Sequence, residues 1–93
     1  MRKETVIRKF IVFRGWVQGV GFRWRARHAA GLVGATGWVK NEDDGSVSME
    51  IQGSAEQIDK VLQILGSDRY IDITGTDIKS LPVEEDERRF IVR

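Results

Sequence analysis

Residues 44–66, D-G-S-V-S-M-E-I-Q-G-S-A-E-Q-I-D-K-V-L-Q-I-L-G, contain two hydrophobic periods back to back. Val47, Met49 and Ile51 alternate with Ser48, Glu50 and Gln52. Strict alternation makes a strand with one apolar face turned to a core and one polar face turned to water. At Ser54 the period changes. Ile58, Val61, Leu62 and Leu65 stand at i, i+3, i+4 and i+7, one stripe of an α-helix. Ser54 and Gln57 have the spacing of a capping box, and Gly66 is a natural stop. On the other side, Glu42-Asp43-Asp44-Gly45 carries the Asp-Gly signal of a hairpin, which makes Thr36–Asn41 the partner strand.

Working outward, Val6–Arg14 is rich in Ile, Val and Phe without Gly or Pro and reads as a strand. Gly15, Gly19 and Gly21 then make G-W-V-Q-G-V-G a loop. From Phe22 the period is helical again: Phe22, Ala26, Ala29, Ala30 and Val33 share a face, and Gly31 and Gly34 weaken its end. Tyr70–Leu81 reads as a strand with a bulge near Gly75. Pro82 and the acidic run Glu84–Glu87 read as a solvated connection, and Phe90–Val92 as a short closing strand at an edge. The order is β-α-β-β-α-β plus one strand. Two amphipathic helices over one face of a sheet give an α+β, ferredoxin-like two-layer sandwich, mainly antiparallel, with residues 1–93 as a single domain. Trp38 is expected in the core, Trp16 either against the loop or at a pocket rim, and His28 at the surface; Trp24 has no assigned place.

The 93 residues are 41% hydrophobic and 31% charged, the balance of a folded chain and not of a disordered or membrane-spanning one. The N-terminus, M-R-K-E-T, lacks an apolar signal core, and the expected location is the cytoplasm. With no cysteine and one histidine, disulfides, thiolate metal sites, iron–sulfur clusters, cysteine nucleophiles and multi-histidine metal sites are excluded. The net charge of +1 hides an asymmetry: residues 1–41 carry +8 and residues 42–93 carry −7. Mutual neutralisation on folding and a local positive field for a small anion both fit that split.

The loop before the first helix narrows the choice. A glycine-bearing turn that opens a helix can aim successive main-chain N–H groups at one point, where the positive end of the helix dipole adds to them. Arg23, in the first turn, could close over that point with its planar fork. A Walker loop would need Gly-Lys followed by Ser or Thr, where this chain has Gly-Phe-Arg, and the glycine spacing is not the dinucleotide fingerprint. With neither of those nor a nearby carboxylate, no Mg²⁺ site or other cofactor is expected.

Gly15–Arg23 (G-W-V-Q-G-V-G-F-R), followed by G-W-V-K-N at 37–41 and D-G-S-V at 44–47, closely resembles the acylphosphatases. The resemblance runs from about Phe10 to the closing F-I-V-R. It implies the same two-layer sandwich and hydrolysis of a carboxylic–phosphoric anhydride to carboxylate and inorganic phosphate without a metal. It places the phosphate-gripping arginine on Arg23 and the water-orienting asparagine on Asn41. The phosphate-cradling backbone falls on Val17, Gln18, Gly19, Val20, Gly21 and Phe22. The chain departs from the family's usual pattern in the link at 31–36 and at Gly66-Ser67, where Gly-Pro is common.

Two side chains suffice for such chemistry. The leaving carboxylate is the base of an acid with a pKa of about 4, so it needs no protonation, and loose phosphoryl transfer asks for positioning and charge stabilisation. The expected partner is a small acyl phosphate, with inorganic phosphate as product and inhibitor, acting on a monomer. Other occupants of this fold fit less well. An RNA-recognition module would carry aromatics on the strand 46–52, which has none, and a metal chaperone would carry Cys-x-x-Cys. A non-catalytic anion-binding domain would keep the cradle but have no need of Asn41.

Overall fold

The computed structural model describes residues 5–93. Arg2, Lys3 and Glu4, counted in the charge of the first half, lie outside them. The chain forms β1 (Ile7–Trp16), α1 (Phe22–Val33), β2 (Thr36–Asn41), β3 (Val47–Gly53), α2 (Ala55–Gly66), β4 (Asp72–Leu81) and β5 (Phe90–Val92). Five strands make one sheet in the order β4-β1-β3-β2-β5, antiparallel except where β5 runs parallel to β2 at the edge. Both helices cover one face, so the molecule is the ferredoxin-like α+β sandwich read from the periodicity. Among the described residues no helix is long and apolar enough to cross a membrane.

The core lies between that face and the helices. β1 sends in Ile11 and Phe13, β2 Val39, and β3 Val47, Met49 and Ile51; α1 answers with Phe22, Ala26, Ala29 and Ala30, and α2 with Ile58, Val61 and Leu65. Alanines on α1 let that helix sit close to the sheet. The capping box of α2 forms as spaced: the Gln57 amide donates to Ser54 Oγ at 3.1 Å and the Ser54 amide to Gln57 Oε1 at 2.7 Å. Gln57 Nε2 also donates to the Val33 carbonyl at 2.6 Å, tying α2 to the end of α1. Gly34 is the left-handed cap of α1, whose helix runs unbroken through Gly31. Gly66 is the last residue of α2, and Ser67 at φ −97° ends the helix, so that terminus is not a left-handed glycine cap.

Three expectations about the strands change. β1 continues two residues beyond Arg14, with Gly15 opposite Ile73 and Trp16 opposite Asp72. The register jumps between Arg14, opposite Gly75, and Gly15, which is the expected bulge. Gly15 has φ +124°, and a Cβ there would stand 2.2 Å from the Asp72 carbonyl oxygen, so the pairing exists only because the residue is glycine. Trp16, expected against the loop or at a pocket rim, is 71% exposed, which speaks against loop packing. Trp38 alternates onto the outer face of the sheet and is half-buried there, beside Phe10 and under the Arg93 guanidinium at 4.6 Å.

The third change is the largest. β3 is buried on both faces, because the outer one is covered by polar groups. Arg8, 3% exposed, donates to Glu50 at 2.9 Å, to Gln52 at 3.1 Å and, with both terminal nitrogens, to Glu87 at 2.8 and 3.0 Å. Gln52 exchanges hydrogen bonds with the main chain of Glu84. The acidic run is therefore not a purely solvated connection: its two ends are fastened to the sheet. A fork-to-fork pair of this kind holds geometry as well as charge. Burial pushes the Glu87 carboxyl upward, but hydrogen bonds from Arg8 and Thr36 and the charges of Arg8 and Arg93 together outweigh it and leave Glu87 below the usual carboxylate range.

A carboxyl lowered on folding stabilises the fold above its unfolded pKa of about 4.3 and loses that contribution as pH falls through its folded value. Glu87→Gln should cost about 1–3 kcal/mol at pH 7, the range for a hydrogen bond to a charged group. The gap from wild type should narrow in acid. Urea unfolding at pH 7 and pH 3 checks this; an equal gap at both would show that the Glu87 charge contributes nothing.

Candidate active site

The segment between β1 and α1 is shaped by what it buries. The side chains of Val17 and Phe22 are sunk in the core, Phe22 against Phe13 with ring centroids 4.9 Å apart, and Val20 packs partly against it. The main chain between these anchors must bow outward. Gly19 and Gly21 make the reversal at φ +76° and +77°, a conformation that costs other L residues. Gly21 is the N-cap of α1 and offers no side chain to the helix's first amides, and the first turn holds no acidic residue. From Gln18 to Trp24, no main-chain amide donates a hydrogen bond of good geometry within the described chain; the first that does is Arg25, to the Gly21 carbonyl. α2 has a capping box and Glu56 in the same positions.

The rest of the site gathers around this bare helix end. β1, β2 and β3 bring the end of β1, the end of β2 and the start of β3 together, since Phe13 and Asn41 both pair with Val47. Asn41, two residues after the buried Val39, falls on the same, helix-bearing face, and it is exposed. Arg23, half-buried, donates from one terminal nitrogen to the main-chain oxygen of Arg93 at 2.8 Å. The Arg93 amide in turn donates to the Val39 carbonyl at 2.8 Å, two residues before Asn41. The arginine is thus turned toward the chain just after β5, beside β2. Sequence-marked Val17, Gln18, Gly19, Val20, Gly21, Phe22, Arg23 and Asn41 all lie at one end of the sheet, on the helix side of it.

Two contacts were beyond the sequence. Gln18 Nε2 donates to the carbonyls of Glu42 at 2.7 Å and Ser46 at 2.8 Å, pinning the loop to the hairpin that follows Asn41. That hairpin is itself braced. Ser46 donates to Asp44 from its hydroxyl and its amide, holding the Asp44 carboxyl below its usual range, and Ser48 donates to Glu42. On the other side Arg25 reaches back to the Val20 carbonyl at 3.2 Å and across to Asp68 at 2.9 Å. Neither Gln18 nor Arg25 has a partner within three residues of chain, so no local spacing could have announced these links. His28 is exposed, as expected.

An uncapped helix start lies with an arginine and an asparagine at one end of a ferredoxin-like sheet, a donor set of the kind that suits an anion. Comparison with known proteins gives the family. Residues 9–92 match the acylphosphatase family. An acylphosphatase of Bifidobacterium longum is 38% identical over 94 residues, covering 99% of this chain and 97% of that protein. One of Clostridium perfringens is 40% identical over 86 residues, covering 91% and 97%. The crystal structure of acylphosphatase from Bacillus subtilis superposes with a TM-score of 0.84 at 27% identity, covering 94% of this chain and 98% of that one. The chain belongs to the acylphosphatase family and is a hydrolase.

The Gln18 link can be tested without substrate. Gln18→Ala should lower stability by about 1–2 kcal/mol for two lost hydrogen bonds. Gln18→Glu, equal in shape, should be worse at pH 7, because it sets a carboxylate against two carbonyl oxygens, and should recover in acid. Thermal melts of both variants across pH check the order; a Gln18→Glu variant as stable as wild type at pH 7 contradicts the contact.

Proposed function

We propose that the chain hydrolyses acyl phosphates without a metal, with the phosphoryl group held by the amides of Val17–Phe22 and by Arg23, and the attacking water held by Asn41. The observation that carries this reading is the uncapped N-terminus of α1 facing the same sheet end as Asn41. Unpaired amides and the helix dipole favour a dianion there. Arg23 spends one N–H on the Arg93 oxygen and keeps the rest of its five donors for phosphate oxygens. Its bond to the main chain fixes the guanidinium before substrate arrives, which spares ordering cost in the transition state.

The steps balance with these groups alone. Asn41 accepts a hydrogen bond from a water through its carboxamide oxygen and aims the water at phosphorus. A new P–O bond forms as the bond from phosphorus to the acyl oxygen breaks, and that electron pair leaves on the carboxylate. A phosphate oxygen takes the water's proton. Charge built on the equatorial oxygens meets the amides and Arg23. No step asks for a general acid or base on the protein.

Benzoyl phosphate should be hydrolysed with chelator present, an ordinary phosphate monoester should not, and inorganic phosphate should compete. Activity abolished by chelator would overturn the metal-free reading. Arg23→Ala should lower kcat/KM by about 10²–10³ and weaken phosphate inhibition, the scale for losing one charge-stabilising donor. Asn41→Ala should cut kcat by a similar factor of about 10² or more while the inhibition constant of phosphate stays close to wild type. Loss of phosphate affinity with kcat intact in the asparagine variant would show the two roles to be wrongly divided.

A further inference from the structure

A groove of about 450 Å³ opens beside Gly21, on the flank of α1 away from Arg23, and is lined by Gly21, Trp24, Arg25, His28, Ile64 and Asp68. We infer that this groove receives the acyl group of the substrate and selects an uncharged, aromatic or aliphatic one. The inference rests on the proposed function, since it takes the phosphoryl group to sit on the Gly21 side of α1's first turn.

Three observations support it. The first is in-line geometry. Attacking and leaving oxygens stand on opposite sides of phosphorus. Asn41 belongs to β2, beneath α1, and Arg23 faces the β5 edge through Arg93. A water brought from that side expels the acyl oxygen toward the opposite flank, where the groove begins. Gly21 belongs to both places, so the path from cradle to groove is one residue long. The volume is of the order of small-ligand sites.

The second is charge. Arg25 and Asp68 face each other across the groove at 2.9 Å, and the Arg25 guanidinium also donates to the Val20 carbonyl and lies 5.3 Å from the Tyr70 ring centroid. The pair neutralises itself in place, which leaves His28 as the groove's one other titratable side chain. Within the groove lining a second carboxylate on the acyl group would find only a guanidinium that is already paired; Arg27, over the Trp24 ring at 5.4 Å, is not part of that lining.

The third is exposed apolar surface. Trp24 is 69% exposed on the rim, with Ile64 half-buried inside the groove. An indole left in water at the mouth of a site loses that exposure when a ring or alkyl chain lies against it. Trp16, also exposed, is not among the residues that line the groove.

The test compares kcat/KM for benzoyl phosphate and acetyl phosphate in wild type, Trp24→Ala, Trp24→Phe and Trp16→Ala. Trp24→Ala should lower the benzoyl-to-acetyl ratio about three- to tenfold, the scale of one aromatic contact. Trp24→Phe should restore most of it, and Trp16→Ala should keep the wild-type ratio. A ratio unchanged in Trp24→Ala, with both substrates still cleaved, overturns the groove assignment and leaves the proposed function standing. So does a ratio that falls in Trp16→Ala instead. Failure of wild type to cleave either substrate overturns the proposed function itself.

Discussion

The constraint on which the rest turns is the bowed main chain between two buried side chains. Val17 and Phe22 are fixed in the core, and the four residues that join them bow outward with their amides. At φ +77° a capping Ser or Asp at Gly21 would be strained, so α1 goes without the side-chain cap that Ser54 gives α2. A positive side chain at Arg23 is a second local disadvantage, since it meets the positive end of the helix dipole. Two departures from good helix design in the same turn are what a site looks like when its missing partner is an anion. On the proposed reading, the phosphoryl group is the cap.

Much of this was legible before the structure. The capping box at Ser54, the alternation of β3, the helical face of α1 and the bulge at Gly75 are local patterns, each written within a few residues, and each is present. The candidate site was legible for a related reason: its loop, Arg23 and Asn41 lie on short motifs whose order the topology then folds together. What was hidden is what depends on partners far along the chain. Arg8 finds Glu50, Gln52 and Glu87, separated from it by 42, 44 and 79 residues. Composition alone made Glu84–Glu87 a solvated run, although one of its carboxylates faces a buried guanidinium. Trp38, expected in the core, stands next to the buried Val39 on β2 and so falls on the outer face. Gly15 was read as a breaker; opposite a bulge, its positive φ is what lets the strand continue.

The outer face also bears on the site, through the shortest strand. β5 has three residues and only β2 beside it, too little pairing to be held firmly by its own ladder. It is fastened at both ends instead. Before it, Glu87 is clamped by Arg8, and the Gly37 amide donates to the Arg89 carbonyl at 3.1 Å; after it, the Arg93 amide donates to Val39. Arg23 takes its aim from the Arg93 oxygen at the end of that same strand. The buried ion pair on one face of the sheet and the guanidinium on the other are therefore joined by seven residues of chain. A fully buried arginine is an expensive way to gain stability, since desolvation offsets most of what its partners return. Its use here is better understood as register: it fixes where the last strand lies, and the last strand fixes where Arg23 points.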